Sequence, residues 1–232
     1  MATTKNEIIY SVLGKIRPAI SDDENTARRQ LSYDADTIRA KFLRNEFNKN
    51  RTIDAGFIQD LGCIPLEAVD RAECCEVEVG CHVMRTLWDI PQSVEQHNST
   101  TITRIGPVDK LQTSYSLVPA ERVPFTGNSK FNKNQVFAYI KGNRIYVVSN
   151  SHLIKHLEHI NVQGVFEVPE EAANFLTCDN KPCYSHDEKY PANRWLVDSI
   201  IRQLIQDYSP VAIAPSDVAN DGASAVTPQQ QQ

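Results

Sequence analysis

Apolar residues recur at helical spacing near the start of the chain, where Ile8, Ile9, Val12, Leu13 and Ile16 share one face. Thr4 and Glu7 stand in the capping-box arrangement just ahead of that run, and Pro18 closes it. Ser21 and Glu24 repeat the capping pattern, after which Leu31, Ala35, Ile38 and Phe42 carry a longer amphipathic stretch toward Lys49. At the rise of an α-helix that second segment spans roughly 35 Å. Two such helices joined by a short acidic turn read as a helical hairpin.

From Arg51 the pattern shifts to short runs of alternating or β-branched residues, at 76–79, 82–86, 101–105, 136–140, 145–148 and 160–168. Gly, Pro and Asn interrupt them. The clearest element is QVFAYIKGNRIYVV, in which Gly142 and Asn143 separate two apolar runs with the chemistry of a tight two-residue turn. After Pro191, the residues Trp195, Leu196, Ser199, Ile200, Leu204 and Ile205 return to helical spacing and predict a third helix of about four turns. Beyond Tyr208 large apolar groups become scarce and no Lys or Arg occurs, so burial cannot offset the entropy of ordering. The expected class is α+β: a helical hairpin over 4–50, a β-rich region over 51–190, a C-terminal helix over 191–208 and a flexible tail over 209–232.

Composition narrows the function classes. A chain of 232 residues is long enough to bury a core without staples, and its net charge of −5 advertises no bulk attraction to nucleic acid or membrane. No run approaches the roughly 18 apolar residues of a membrane span, and the N-terminus lacks the apolar stretch of a signal peptide. Cytosolic synthesis follows as the expectation, and with it thiols as the default state of the six cysteines.

The segment TCDNKPCYSH, with Cys178, Cys183 and His186, raises the question of a metal. Its ligand spacing departs from that of structural zinc knuckles, and Cys63, Cys74, Cys75 and Cys81 supply no matching knuckle. A turn filled by small thiols is the default reading, with a Cys178–Cys183 disulfide in oxidising surroundings as the alternative. His152, His156 and His159 lack the neighbouring Glu of a zinc-protease helix, Leu153 standing in its place. No nucleophile elbow or phosphate loop occurs, and Glu170 and Glu171 follow Pro169 as first-turn acids of a short helix would. The residues therefore point to no catalytic group, no cofactor and no bound metal.

One charge feature remains. The second helix carries Arg28, Arg29, Arg39, Lys41, Arg44 and Lys49, a stripe able to touch phosphates or to pair with acidic groups of a neighbouring subunit. The absence of an interleaved aromatic platform weighs against single-strand binding, so the subunit contact is the leading reading and a small nucleic-acid-binding or regulatory module the alternative.

The stretches INVQGVFEVPEE and KYPANRWLVDSIIRQLI, preceded by KNEIIYSVLGKIRPAISDD, FIQDLGCIPLEAVDRAECC, MRTLWDIPQSVEQHNSTTITRIGPVD and YIKGNRIYVV, carry a resemblance. In this order the chain resembles the head-to-tail connector ring proteins of crAss-like tailed bacteriophages, from residue 5 to about 207. The resemblance implies a virion structural protein without enzymatic activity, at the neck or tail of the particle and in the host cytoplasm during assembly. It implies a ring, of twelve copies by expectation, between portal and tail, lining the channel through which double-stranded DNA leaves. Its partners would be itself, the portal protein and the next ring or tail protein, with no membrane, and the slot directly beneath the portal is the expected position. Arg28, Arg29, Arg39 and Arg44, together with Pro210, Val211 and Ile213 at the start of the tail, are the expected subunit or portal contacts, the tail becoming ordered on its partner.

Overall fold

The computed structural model describes residues 3–16, 24–49, 52–69, 83–97, 99–127, 130, 132–149, 151, 154 and 156–213. Ser21, the strand expected at 76–79, His152 and the tail from 214 lie outside them.

The first helix, α1 (Lys5–Ile16), is capped as its sequence predicts. Glu7 N donates to Thr4 Oγ1 at 3.2 Å while Thr4 N donates to Glu7 Oε2 at 3.1 Å, so both arms of the capping box form. Helix α2 (Glu24–Lys49) follows, and α3 (Arg194–Ile213) closes the described chain, running past Tyr208 rather than stopping there. Ile8, Ile9, Val12, Leu13 and Ile16 of α1 meet Leu31, Ala35, Ile38, Leu43 and Phe47 of α2 and Leu196, Val197, Ile200 and Leu204 of α3 in one core. The hairpin is thus completed by a third helix that packs on both arms. Burial rotates α3 from the naive reading: Trp195 stays half exposed, its ring edge-on to Phe57 at 6.4 Å, while Val197 turns inward.

Between α2 and α3 lies a strongly curled sheet. Strands β1 (Gln59–Asp60), β2 (Ile64–Ala68) and β3 (Val83–Thr86) precede a small hairpin of β4 (Glu95–Gln96) and β5 (Ser99–Thr100). Then come β6 (Ile102–Gly106), β7 (Ser116–Leu117), β8 (Phe137–Lys141), β9 (Arg144–Val148) and β10 (His159–Gly164). Strand β10 is the hub: β6 flanks one edge, and the other is shared by β2 along its first residues and β1 along its last. The order continues from β2 through β3, β9 and β8 to β7. The open edges then approach each other, Tyr115 N donating to Ile105 O at 2.7 Å beside β7, so the sheet nearly closes around a second core of Leu61, Ile64, Ile105, Val147, Ile160 and Val162.

The expected hairpin is β8–β9. Gly142 and Asn143 both take left-handed backbone angles, with φ of 57° and 61°, as a twist-matched two-residue turn requires. The resulting register pairs Ala138 with Val147 and Ile140 with Ile145 toward the second core, and sets Tyr139 opposite Tyr146 on the other face, their rings stacked at 4.9 Å. Pro169–Asn174 forms a short 3-10 helix with Glu170 and Glu171 in its first turn, as its sequence predicts.

The cysteine turn corrects an expectation. Cys178 is joined by a disulfide to Cys63, with Cα atoms 5.3 Å apart at a sequence separation of 115, while Cys183 keeps its thiol. The reason is tertiary. Cys63 N donates to Leu176 O at 3.0 Å, and Cys183 N to Phe175 O at 2.9 Å, so the turn is laid along the β1–β2 connection with Cys178 against Cys63. That approach is close enough to require Gly62, whose φ is +66° and where a Cβ would stand 2.8 Å from Cys183 Sγ. Asp60 pins the same corner: its carboxylate accepts from Gly62 N at 2.9 Å, Asn161 Nδ2 at 2.6 Å and Gln163 Nε2 at 3.0 Å, and pairs with Lys110.

Candidate functional site

Helix α2 presents two faces of different chemistry. Leu31, Ala35, Arg39, Leu43 and Phe47, each one turn from the last, form the buried ridge, whereas Arg29, Tyr33, Thr37, Lys41 and Arg44 form the solvent ridge. Four of the five inward positions are apolar. The exception is Arg39, which was expected at a subunit or portal contact and is instead wholly enclosed, at 0% exposure. Its Nε donates to Pro191 O at 2.9 Å and its Nη1 to Phe166 O at 2.8 Å; the guanidinium lies over the Tyr190 ring at 5.7 Å. A planar fork of donors suits two main-chain carbonyls arriving from different segments, and a partner copy has no access to it. Burial pushes this guanidinium down from its ordinary value, with Tyr190 and Asp36 opposing.

The remaining cations of the stripe face outward. Arg28 stacks over the Tyr10 ring at 4.8 Å and donates to its hydroxyl at 2.8 Å, which fixes a cationic aromatic pair on the surface shared by α1 and α2. Arg29 and Lys41 are exposed, and Tyr33 between them leaves about two thirds of its surface in solvent. Arg44 reaches Glu95, at the open end of the β4–β5 hairpin, at 3.5 Å, with both side chains largely exposed. Asn48 Oδ1 accepts from His97 N at 3.1 Å and Phe47 O accepts from Gln96 Nε2 at 3.1 Å, so the hairpin is held to the end of α2. Beside it opens a groove of about 750 Å³, floored by Ile90, Pro91, Leu117, Val118 and Pro119 with Arg44 at its rim.

The structure places Arg29 and Arg44 on the solvent ridge, sets Arg28 apart from them against Tyr10 of α1, encloses Arg39, and continues α3 through Pro210, Val211 and Ile213. The residues missed by sequence reasoning are inside. Lys5, Asp36 and Tyr190 are buried together with Arg39, and Lys5 and Arg39 both occupy inward positions of the apolar periodicity, the signal that would have revealed them. Among the described residues, no group of three or more His, Cys, Asp or Glu side chains is placed to hold a metal ion.

An α+β body whose distinctive surfaces are a cationic aromatic helix ridge and an adjoining recess has the parts of a structural protein that acts by contact. Comparison with known sequences agrees and is more specific. A family model described as phage tail ring protein 2 matches residues 7–229, and the chain belongs to that family of crAss-like phage proteins. A similar protein is the "Ring protein 2" of Bacteroides phage crAss001, 23% identical over 225 residues that cover 94% of this chain and 96% of the relative. The chain is thus a non-enzymatic structural component of the virion tail, and a ring component associates with copies of itself. Among the described residues no helix is long and apolar enough to cross a membrane.

Proposed function

We propose that the protein forms a closed ring of twelve copies in the head-to-tail connector, surrounding the channel through which double-stranded DNA leaves the capsid. The observation that carries this reading is the family match, which extends over nearly the whole chain. The slot directly beneath the portal is the proposed position in the connector.

A closed ring needs a heterologous contact, one surface of each copy meeting a different surface of the next. The solvent ridge of α2, with Arg29, Tyr33 and Arg44, is proposed as one side of that contact, together with Arg28 where it lies on Tyr10 at the surface shared by α1 and α2. Its cations then pair with acidic groups of the next copy instead of facing DNA, because a strongly basic bore would retard sliding. The segment from Pro210 onward, with Val211 and Ile213 in the last turn of α3, is proposed to dock on an adjacent ring or on the portal. Electron microscopy of assembled virions tests the reading: a twelve-fold density of this chain between portal and tail supports it, and its absence from mature particles overturns it. The alternative of a nucleic-acid-binding helix loses weight because Arg39, the middle cation of the stripe, is enclosed.

A further inference from the structure

Three side chains remote in sequence converge where α1 begins. Lys5 is 1% exposed, and its Nζ lies 2.7 Å from Asp36 Oδ2 while also contacting Glu170 Oε1. The second oxygen of Asp36 accepts the Tyr190 hydroxyl at 2.7 Å. Glu170 stands at the border of the site, 3.3 Å from Ser32 Oγ and 3.4 Å from His186 Nδ1, and is the one member with a partly exposed side chain.

An ordinary buried ion pair would need only the lysine and one carboxylate, and desolvation makes even that pair a poor source of stability. This site adds two parts. A second carboxylate on the same nitrogen can take and return a proton, and a phenol on the far carboxyl oxygen can stabilise negative charge developing there. Burial raises the affinity of Asp36 for its proton, opposed by the Lys5 ammonium and the Tyr190 hydroxyl, which favours the neutral acid needed as an electrophile.

We propose that Lys5 and Asp36 become joined by an intramolecular isopeptide bond after folding, with Glu170 as proton carrier and Tyr190 as the donor to the carbonyl oxygen. A proton passes from Nζ through Glu170 to Asp36 Oδ2, leaving an amine against a carboxylic acid. The nitrogen lone pair then forms the bond to Cγ while Tyr190 holds the oxygen that becomes negative. A second proton follows the same route from nitrogen to Oδ2, the bond between Cγ and Oδ2 breaks, and one water departs. The ammonium and carboxylate have lost a single water to become an amide, and no oxidant or reductant takes part. Folding supplies the proximity that makes the step unimolecular, and the enclosure that forms the site shields the amide from hydrolysis. The cross-link ties the first turn of α1 to the middle of α2 and replaces a buried charge pair by a neutral group.

Mass spectrometry of the intact, reduced, full-length protein decides the matter. The wild type is expected one water lighter than its sequence requires, and its tryptic digest should contain a branched peptide joining residues 5 and 36. Lys5→Arg and Glu170→Gln should each show the full mass of their own sequences, with a wild-type circular dichroism spectrum for the glutamine variant as the control for folding. A folded wild type at full sequence mass overturns the bond and leaves an ion pair. Loss of water in the Glu170→Gln protein overturns the role of Glu170.

Discussion

Arg39 Nη1 donates to the main-chain carbonyl of Phe166 at 2.8 Å, so a cation from the middle of α2 holds the chain just after β10. With its second bond to Pro191 O, the same guanidinium also holds the approach to α3. One side chain thereby links the helical core to the sheet. Replacing it with alanine leaves two buried carbonyls and a void, and is expected to destabilise the fold by about 3–5 kcal/mol in urea titration. Lysine should rescue little, because a single ammonium does not reproduce the planar fork.

Assembly should respond to the opposite ridge. Charge reversal of Arg29 and Arg44 together is expected to change stability by no more than about 0.5 kcal/mol, as exposed substitutions do. The same protein should fail to form rings in native mass measurements. Intact rings from the double variant would move the subunit contact off this ridge. Removing residues 210–232 should leave the body folded and weaken attachment to the adjoining ring or portal, read by co-sedimentation with isolated connectors.

The Cys63–Cys178 disulfide closes a loop of 115 positions, so its reduction should lower stability by about 2–4 kcal/mol, seen as a drop in Tm on adding reductant. Serine at Cys178 should give the same loss and make the protein insensitive to reductant. Cys183 behaves differently. Burial first, then Asp60 and Glu188, push its thiol up to about 11, so peptide mapping should find it slow to alkylate at neutral pH until the protein unfolds.

Asp60 supplies a pH test. Burial by itself would raise its carboxyl, but Lys110, the Gly62 amide and Asn161 together hold it below the ordinary value. A carboxyl depressed in the folded state stabilises above the unfolded pKa, near 3.9, and that contribution fades as pH falls through the lower folded value. The stability difference between wild type and Asp60→Asn should therefore be full at pH 6 and shrink below about pH 4. A difference that stayed constant across this range would show that the ionised form contributes nothing.

Much of the fold could be read from the chain because the relevant forces act within a few residues. The Thr4–Glu7 capping box, the apolar face of α1, the Gly142–Asn143 turn and the 3-10 helix after Pro169 each depend on local hydrogen bonding, local periodicity or a single backbone angle. The candidate contacts were legible only in part. Arg28, Arg29 and Arg44 reach the surface, yet Arg39 belongs to the core, and a list of cations on a helix does not separate the two without attention to phase.

By itself the sequence determined the mixed class, the three helices, the central hairpin and the membership in a ring family, since periodicity, turn chemistry and overall likeness are one-dimensional properties. Only the tertiary structure decided that Cys63 meets Cys178, that Lys5 lies between Asp36 and Glu170, and that Arg39 faces Phe166 and Pro191. Those partners stand far apart along the chain. Their proximity arises from how the sheet curls and how the helices settle on it, a long-range packing outcome that no local pattern encodes.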